Sequence, residues 1–330
     1  MKGLILSGGA GVRLRPVTHT SAKQLVPIAN TPILFYGIKR LVEAGVTQIG
    51  IIIGETGDEI RRAVGNGEKW GAKITSLPQE KPLGLAHCVL VAQEFLTDDD
   101  FIMYLGDNML EQDLSDIVSR FQHDRTSRPL SCRVLLKKVA DPQSFGVAIL
   151  DCEGSITELI EKPKNPPSDL ALVGVYLFTP AIHQAVATLK PSGRGELEIT
   201  DAIQKLINDG LAVDHEIIKG WWIDTGKKDS LLECNRLVLS TIVTSIDERA
   251  TVDSASTLSG AVQVGAQSTL TNCTITGPVV IGENVSISNC QVGPYASLGD
   301  GCSLDDISID DSVLLRDCMI NGGGRITSSL

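Results

Sequence analysis

Residues 4–23 read LILSGGAGVRLRPVTHTSAK, and the reading of the whole chain turns on this stretch. Leu4, Ile5 and Leu6 form an apolar run short enough to be a fully buried strand. Gly8, Gly9 and Gly11 follow at once, then Arg13 and Arg15, with Lys23 further along. Glycines directly after a strand let the backbone turn tightly and bring its N–H groups against an anion. Arginine adds a planar fork that matches phosphate oxygens, and lysine adds a mobile point charge. The combination is a polyphosphate cradle. It is not a P-loop, because Lys23 is not preceded by glycine and Gln24 follows it. Nor is it a dinucleotide fingerprint, because the third glycine position, counted from Gly9, holds Leu14.

Working outward, the pattern predicts helices over 32–44, 58–64 and 85–95, and strands over 49–53, 74–77 and 101–105. This alternation argues for an α/β fold: a Rossmann-like, mixed but mainly parallel sheet with helices on both faces. Ligands of such sheets bind beyond the carboxyl ends of the strands. The glycine loop, the segment 79–84 and Asp107 all fall at such ends. Further strands are expected over 132–138, 145–150, 156–161 and 172–178, and helices over 180–189 and 199–207. Residues 221–226, WWIDTG, end another strand, and a long helix over 227–243 closes the domain.

After Ser245 the texture changes. Apolar residues recur mostly six apart, with some steps of five, which makes a longer period of about seventeen: one coil of three short strands. Leu258, Ile275, Val292, Ile309 and Ile326 form one column, and Val264, Ile281, Leu298 and Leu315 another. Such hexapeptide repeats predict a left-handed parallel β-helix over 246–330, following a first domain over 1–245.

The net charge of −11 argues against a nucleic-acid or anionic-membrane surface, so a phosphate site must be basic only locally. No apolar stretch reaches membrane-spanning length, and the N-terminus reads as a strand without a signal-peptide core, so a cytoplasmic protein is expected. The eight cysteines show no C-x-x-C pair and read as reduced thiols.

The strings GGAGVRLRP and SAKQLVPI resemble the signature of sugar-1-phosphate nucleotidylyltransferases. The resemblance covers residues 1 to about 243, and the repeat domain matches the long form of that family. It implies Mg²⁺-dependent transfer of dTMP from dTTP to glucose 1-phosphate for deoxysugar synthesis, by a homo-oligomer. Gly8, Gly9, Gly11, Arg13, Lys23, Gln24, Gln79, Gly84 and Asp107 match its nucleotide-binding positions. Val12 stands where the family usually has Thr or Ser, so only a backbone contact to phosphate is expected there. Asn108, Gly146, Glu161, Lys162, Val173 and Arg194 match positions on the sugar side. Asp107 and Asp224 match the metal-binding aspartates, and Arg13, Lys23, Lys162 and Asp107 the catalytic set.

Phosphate is already a competent nucleophile, so no general base is required; the five histidines accordingly show no triad or metal spacing. Uridylyl transfer is the nearest alternative, because thymine and uracil differ by one methyl, worth only about 1–3 kcal/mol. An N-acyltransferase built on the β-helix is a second, weakened by the lack of any histidine after His215. A non-catalytic nucleotide sensor is a third, against which the retained Arg13, Lys23, Asp107, Lys162 and Asp224 argue.

Overall fold

The apolar run forms the strand Lys2–Ser7, with Leu4 and Ile5 wholly buried on opposite faces, as a strand covered by helices on both sides requires. The computed structural model describes residues 1–9, 11–19 and 21–330, with the side chain of Val12 outside the described set. The chain divides into two units: Met1–Gln24 with Leu34–Ile223, and Leu25–Ile33 with Asp224–Leu330.

The first unit is built on a nine-stranded mixed sheet. Lys2–Ser7 lies between Gln48–Ile53 and Phe101–Leu105, and Gln48–Ile53 is flanked by Lys73–Pro78, all in parallel. Leu170–Phe178 then runs antiparallel to Phe101–Leu105 and carries Gly146–Leu150 and Ile156–Glu161 beyond it. Leu130–Lys138 and Ala212–Ile217 complete the sheet. The expected helix over 85–95 is two, Leu85–Val91 and Gln93–Leu96. They meet at wholly buried Ala92, which stays in the right-handed helical region (φ −86°, ψ 0°): its N–H donates to the Cys88 carbonyl and its carbonyl accepts the Leu96 N–H. The helix Ser115–Ser127 and the strand Ala212–Ile217 were not expected, because their apolar residues are too sparse to set a period.

In the second unit, three five-stranded parallel sheets wind the repeats into the β-helix. The column Leu258, Ile275, Val292, Ile309 and Ile326 stacks in register as its spacing requires. In the other column the rung after Val264, Ile281 and Leu298 is Leu314, not Leu315. That coil is one residue shorter, which brings Leu314 inward while Leu315 is only half-buried. The helix expected over 227–243 spans Lys228–Leu239 and belongs to this unit; the Ser240 hydroxyl caps its end on the Arg236 carbonyl. Buried Asn235 on this helix accepts hydrogen bonds from the Ala29 N–H (2.8 Å) and the Ser297 hydroxyl (2.9 Å).

Arg133, on the strand Leu130–Lys138, is 5% exposed and faces Asp214 across the parallel pairing. Its guanidinium donates to Asp214 and Asp124, and Arg128 joins both carboxylates. Burial alone would raise the Asp214 carboxyl, but hydrogen bonds from Arg133 and Arg128 outweigh it and hold the group below the usual carboxylate range. A depressed carboxylate stabilises the fold above its unfolded pKa, and that contribution is lost as pH falls through the folded value. Arg133→Met is expected to lower unfolding free energy by about 1–3 kcal/mol at neutral pH, because Asp214 and Asp124 each lose one of two guanidinium partners. The variant should also lose less stability than wild type below about pH 4. Urea unfolding at several pH values checks both.

Candidate active site

The four parallel strands end side by side, so Gly8, Gln79 and Asp107 all emerge at neighbouring carboxyl ends. They line a cavity of ≈ 250 Å³ together with Gly9, Gln24 and Gly84. Gly11 has φ +61°, and a Cβ there would come within 3.0 Å of Lys23 Cβ; the loop can fold back over Lys23 only with glycine at this position. The Thr18 hydroxyl donates to the Gly11 carbonyl at 2.6 Å and pins the turn. Gly84, φ +104°, precedes the helix Leu85–Val91, and a Cβ there would strike the Leu197 carbonyl at 2.4 Å.

Lys23 is 7% exposed, and its ammonium forms an ion pair with the Asp107 carboxylate. Burial pushes the Asp107 carboxyl up, but the Lys23 charge and hydrogen bonds from Lys23 and Asn108 outweigh it, and the net direction is down. Asn108 Nδ2 donates to Asp107 at 3.0 Å, while Asn108 Oδ1 accepts from Trp222 Nε1 at 2.7 Å. The Asn108 side chain is 3% exposed and is committed at both ends to holding Asp107. Gly174 allows this: a Cβ at that position would meet Asn108 Oδ1 at 2.7 Å.

A second cluster forms around Glu161, at the end of the strand Ile156–Glu161 and opposite Gly146. Its carboxylate accepts from the Thr200 hydroxyl (3.2 Å) and Arg194 Nη1 (3.2 Å), with Lys162 Nζ at 3.4 Å. Lys162 and Arg194 remain about two-fifths exposed, at 43% and 41%. Lys162 turns out of the strand with φ +42°, and its N–H donates to the Phe145 carbonyl at 3.0 Å. Phe145 packs on Trp222 with ring centroids 4.9 Å apart. Trp222 therefore touches both clusters.

The structure thus brings Lys23, Gln24, Gln79, Gly84, Asp107 and Asn108 together, and separately Gly146, Glu161, Lys162 and Arg194. Val173 lies in the interior of the strand Leu170–Phe178 with its side chain wholly buried. Arg13 is exposed on a turn spanning Val12–Leu14 and makes no ion pair with a described residue. The side chain of Val12, where only a backbone contact to phosphate is expected, lies outside the described residues. Asp224 opens the second unit, and its carboxylate accepts the Gly226 N–H at 2.8 Å. Among the described residues no group of three His, Cys, Asp or Glu is gathered around one point. Sequence reading missed Trp222, Thr200 and Glu59, whose carboxylate holds the Ala22 N–H at 2.8 Å. Of these, Trp222 carried a visible signal beside Asp224 in WWIDTG, and Thr200 one within residues 195–201, GELEITD, which match a family string; Glu59 carried none.

A crevice at parallel strand ends, with a glycine loop and a buried lysine on one side and a carboxylate with two cations on the other, suits the joining of two phosphates. The nucleotidyl transferase family model matches residues 2–241, and the chain belongs to that family. Over 330 residues it is 51% identical to a glucose-1-phosphate thymidylyltransferase of Streptomyces griseus, covering 100% of this chain and 91% of that protein. It is 47% identical to the low-salt glycan biosynthesis nucleotidyltransferase Agl11 of Haloferax volcanii, covering 100% and 92% of the two chains. A solved structure of UDP-glucose pyrophosphorylase with UDP-glucose bound shares the fold, with a TM-score of 0.64 over 72% of this chain and 98% of that one, at 23% identity.

Trp222→Phe should keep the ring packing on Phe145 but remove the hydrogen bond to Asn108. Asp107 then loses its orientation; turnover is expected to fall about tenfold, and the unpaired Asn108 oxygen to lower stability by about 1–3 kcal/mol. Steady-state nucleotidyl transfer beside a thermal melt checks this.

Proposed function

We propose that the protein is a glucose-1-phosphate thymidylyltransferase of the cytoplasm, joining dTTP and glucose 1-phosphate to give dTDP-glucose and pyrophosphate. The observation that carries this reading is the pairing of Lys23 with Asp107 in one cluster, linked through Asn108 and Trp222 to the cluster of Glu161, Lys162 and Arg194. The choice of thymidylyl over other nucleotidyl groups draws on the full-length likeness to the Streptomyces griseus enzyme.

In this reading a phosphate oxygen of the sugar attacks the α-phosphorus, the bond to the bridging oxygen breaks, and pyrophosphate leaves in line. The backbone of the glycine loop, with Arg13 and Lys23, holds the triphosphate. Gln79 and Gly84 meet the base, and Gln24 joins the nucleotide contacts. Lys162 and Arg194 hold the sugar phosphate, and Glu161 accepts sugar hydroxyls. Catalysis is positioning and charge neutralisation.

Magnesium takes carboxylate, phosphate and water oxygens. The partly buried Asp107 carboxylate, oriented by Asn108 and kept ionised, fits that donor set. Asp107 and Asp224 are the proposed metal residues, and the ion would supply positive charge to the phosphates. Lys23 balances the Asp107 charge and can exchange that partner for a phosphate oxygen. The repeat domain is proposed to assemble subunits and to carry no chemistry.

A matrix of dTTP, UTP, dCTP and GTP against several sugar 1-phosphates, scored by pyrophosphate release, tests the assignment. The expected best pair is dTTP with glucose 1-phosphate; a clear preference for UTP would make the enzyme a uridylyltransferase. Asp107→Asn and Asp224→Asn should each leave the fold intact, lower turnover by two or more orders of magnitude, and weaken Mn²⁺ binding measured by electron paramagnetic resonance. Lys162→Ala should mainly raise the apparent KM for glucose 1-phosphate, whereas Arg13→Ala should impair the nucleotide side. A Lys162→Ala variant with unchanged kinetics would remove Lys162 from the sugar-phosphate site.

A further inference from the structure

Gln79 is 9% exposed and stands on the wall of the cavity with its amide edge-on to two neighbours from the helix Leu85–Val91. Its Nε2 lies 2.9 Å from His87 Nδ1 and 3.3 Å from Cys88 Sγ. The Cys88 thiol is committed as well, since its S–H donates to the Gly84 carbonyl at 3.6 Å. Burial pushes that thiol up to about 12, so the proton stays on sulfur at neutral pH. A sulfur whose hydrogen is already given away can only accept, and it accepts from Gln79. A neutral imidazole protonated at Nε2 likewise offers Nδ1 as an acceptor. With His87 in that tautomer, both amide hydrogens of Gln79 are used. In the same tautomer the opposite orientation sets the carbonyl oxygen against two acceptors and leaves it unpaired.

Gln79 Oε1 is thereby turned the other way. It makes no hydrogen bond with a described residue and points toward the glycine loop, 3.2 Å from where a Cβ on Gly8 would lie. We propose that His87 and Cys88 are positioning residues that fix Gln79 as an acceptor toward the nucleobase, so that the site selects bases carrying a ring N–H. Thymine and uracil have a donor at N3. Cytosine has a lone pair there and meets the Gln79 oxygen with repulsion. The inference rests on the reading that Gln79 meets the base. Within that reading it explains the choice of imide over cytosine and leaves the thymine methyl to other contacts.

The test uses full-length enzyme with glucose 1-phosphate saturating and dTTP, UTP or dCTP varied, for wild type, His87→Leu, His87→Asn and Gln79→Leu. Asparagine can place an acceptor where His87 Nδ1 stands; leucine cannot. For His87→Leu the ratio of kcat/KM for dTTP over dCTP is expected to drop about tenfold, with KM for dTTP raised and KM for glucose 1-phosphate unchanged. His87→Asn should recover most of that ratio, which a merely structural role for the ring would not produce. An unchanged ratio in His87→Leu, or a loss that asparagine does not recover, would overturn the proposal while Gln79→Leu still collapses the ratio. If Gln79→Leu also leaves it unchanged, the base contact itself is wrong and the proposal falls with it. Should His87→Leu fail to fold, Cys88→Ala removes the second acceptor. A fall of about threefold in the ratio supports the proposal, and no change counts against it.

Discussion

The ion pair between Lys23 and Asp107 is the constraint on which the rest of the site depends. Removing two charges from water costs several kcal/mol per ion, and their attraction offsets that only with good geometry and further hydrogen bonds. Those bonds are present. Asn108 donates to the Asp107 carboxylate, Trp222 holds Asn108, and the glycine turn closes over the Lys23 stem. A chain that had only to fold would gain by replacing this pair with apolar residues. Keeping it makes sense where an anion and a cation must later exchange partners with a triphosphate and a metal.

The same network links the two candidate clusters. Trp222 joins the two clusters by a hydrogen bond on one edge and ring packing on Phe145 on the other. Phe145 in turn accepts the Lys162 N–H, and its neighbour Gly146 lies opposite Glu161. Proximity catalysis needs attacking and accepting groups held to within a fraction of an ångström, and a stiff aromatic bridge does that better than a loop.

The β-helix obeys a different logic. Each coil contacts only its neighbours, so register is enforced rung by rung through identical spacing. A coil one residue shorter is tolerated because a parallel rung needs only an apolar residue at the inward position, which Leu314 supplies as well as Leu315 would.

Much of this was written in local pattern. The buried strand, the glycine turn, the strand-end aspartate and the repeat period are properties of short windows, where side-chain periodicity and backbone freedom act directly. They determined the α/β unit and the β-helix and drew attention to Lys23 and Asp107 as candidate site residues, whereas Gln79, Glu161 and Lys162 became candidates only through the family resemblance. Only the tertiary structure decided how those residues are held. That Trp222 binds Asn108 and so aims it at its neighbour Asp107, and that His87 and Cys88 turn Gln79, are contacts made by packing between segments far apart in the chain or on adjoining elements. No periodicity encodes them, because a buried hydrogen bond depends on where two elements meet in space.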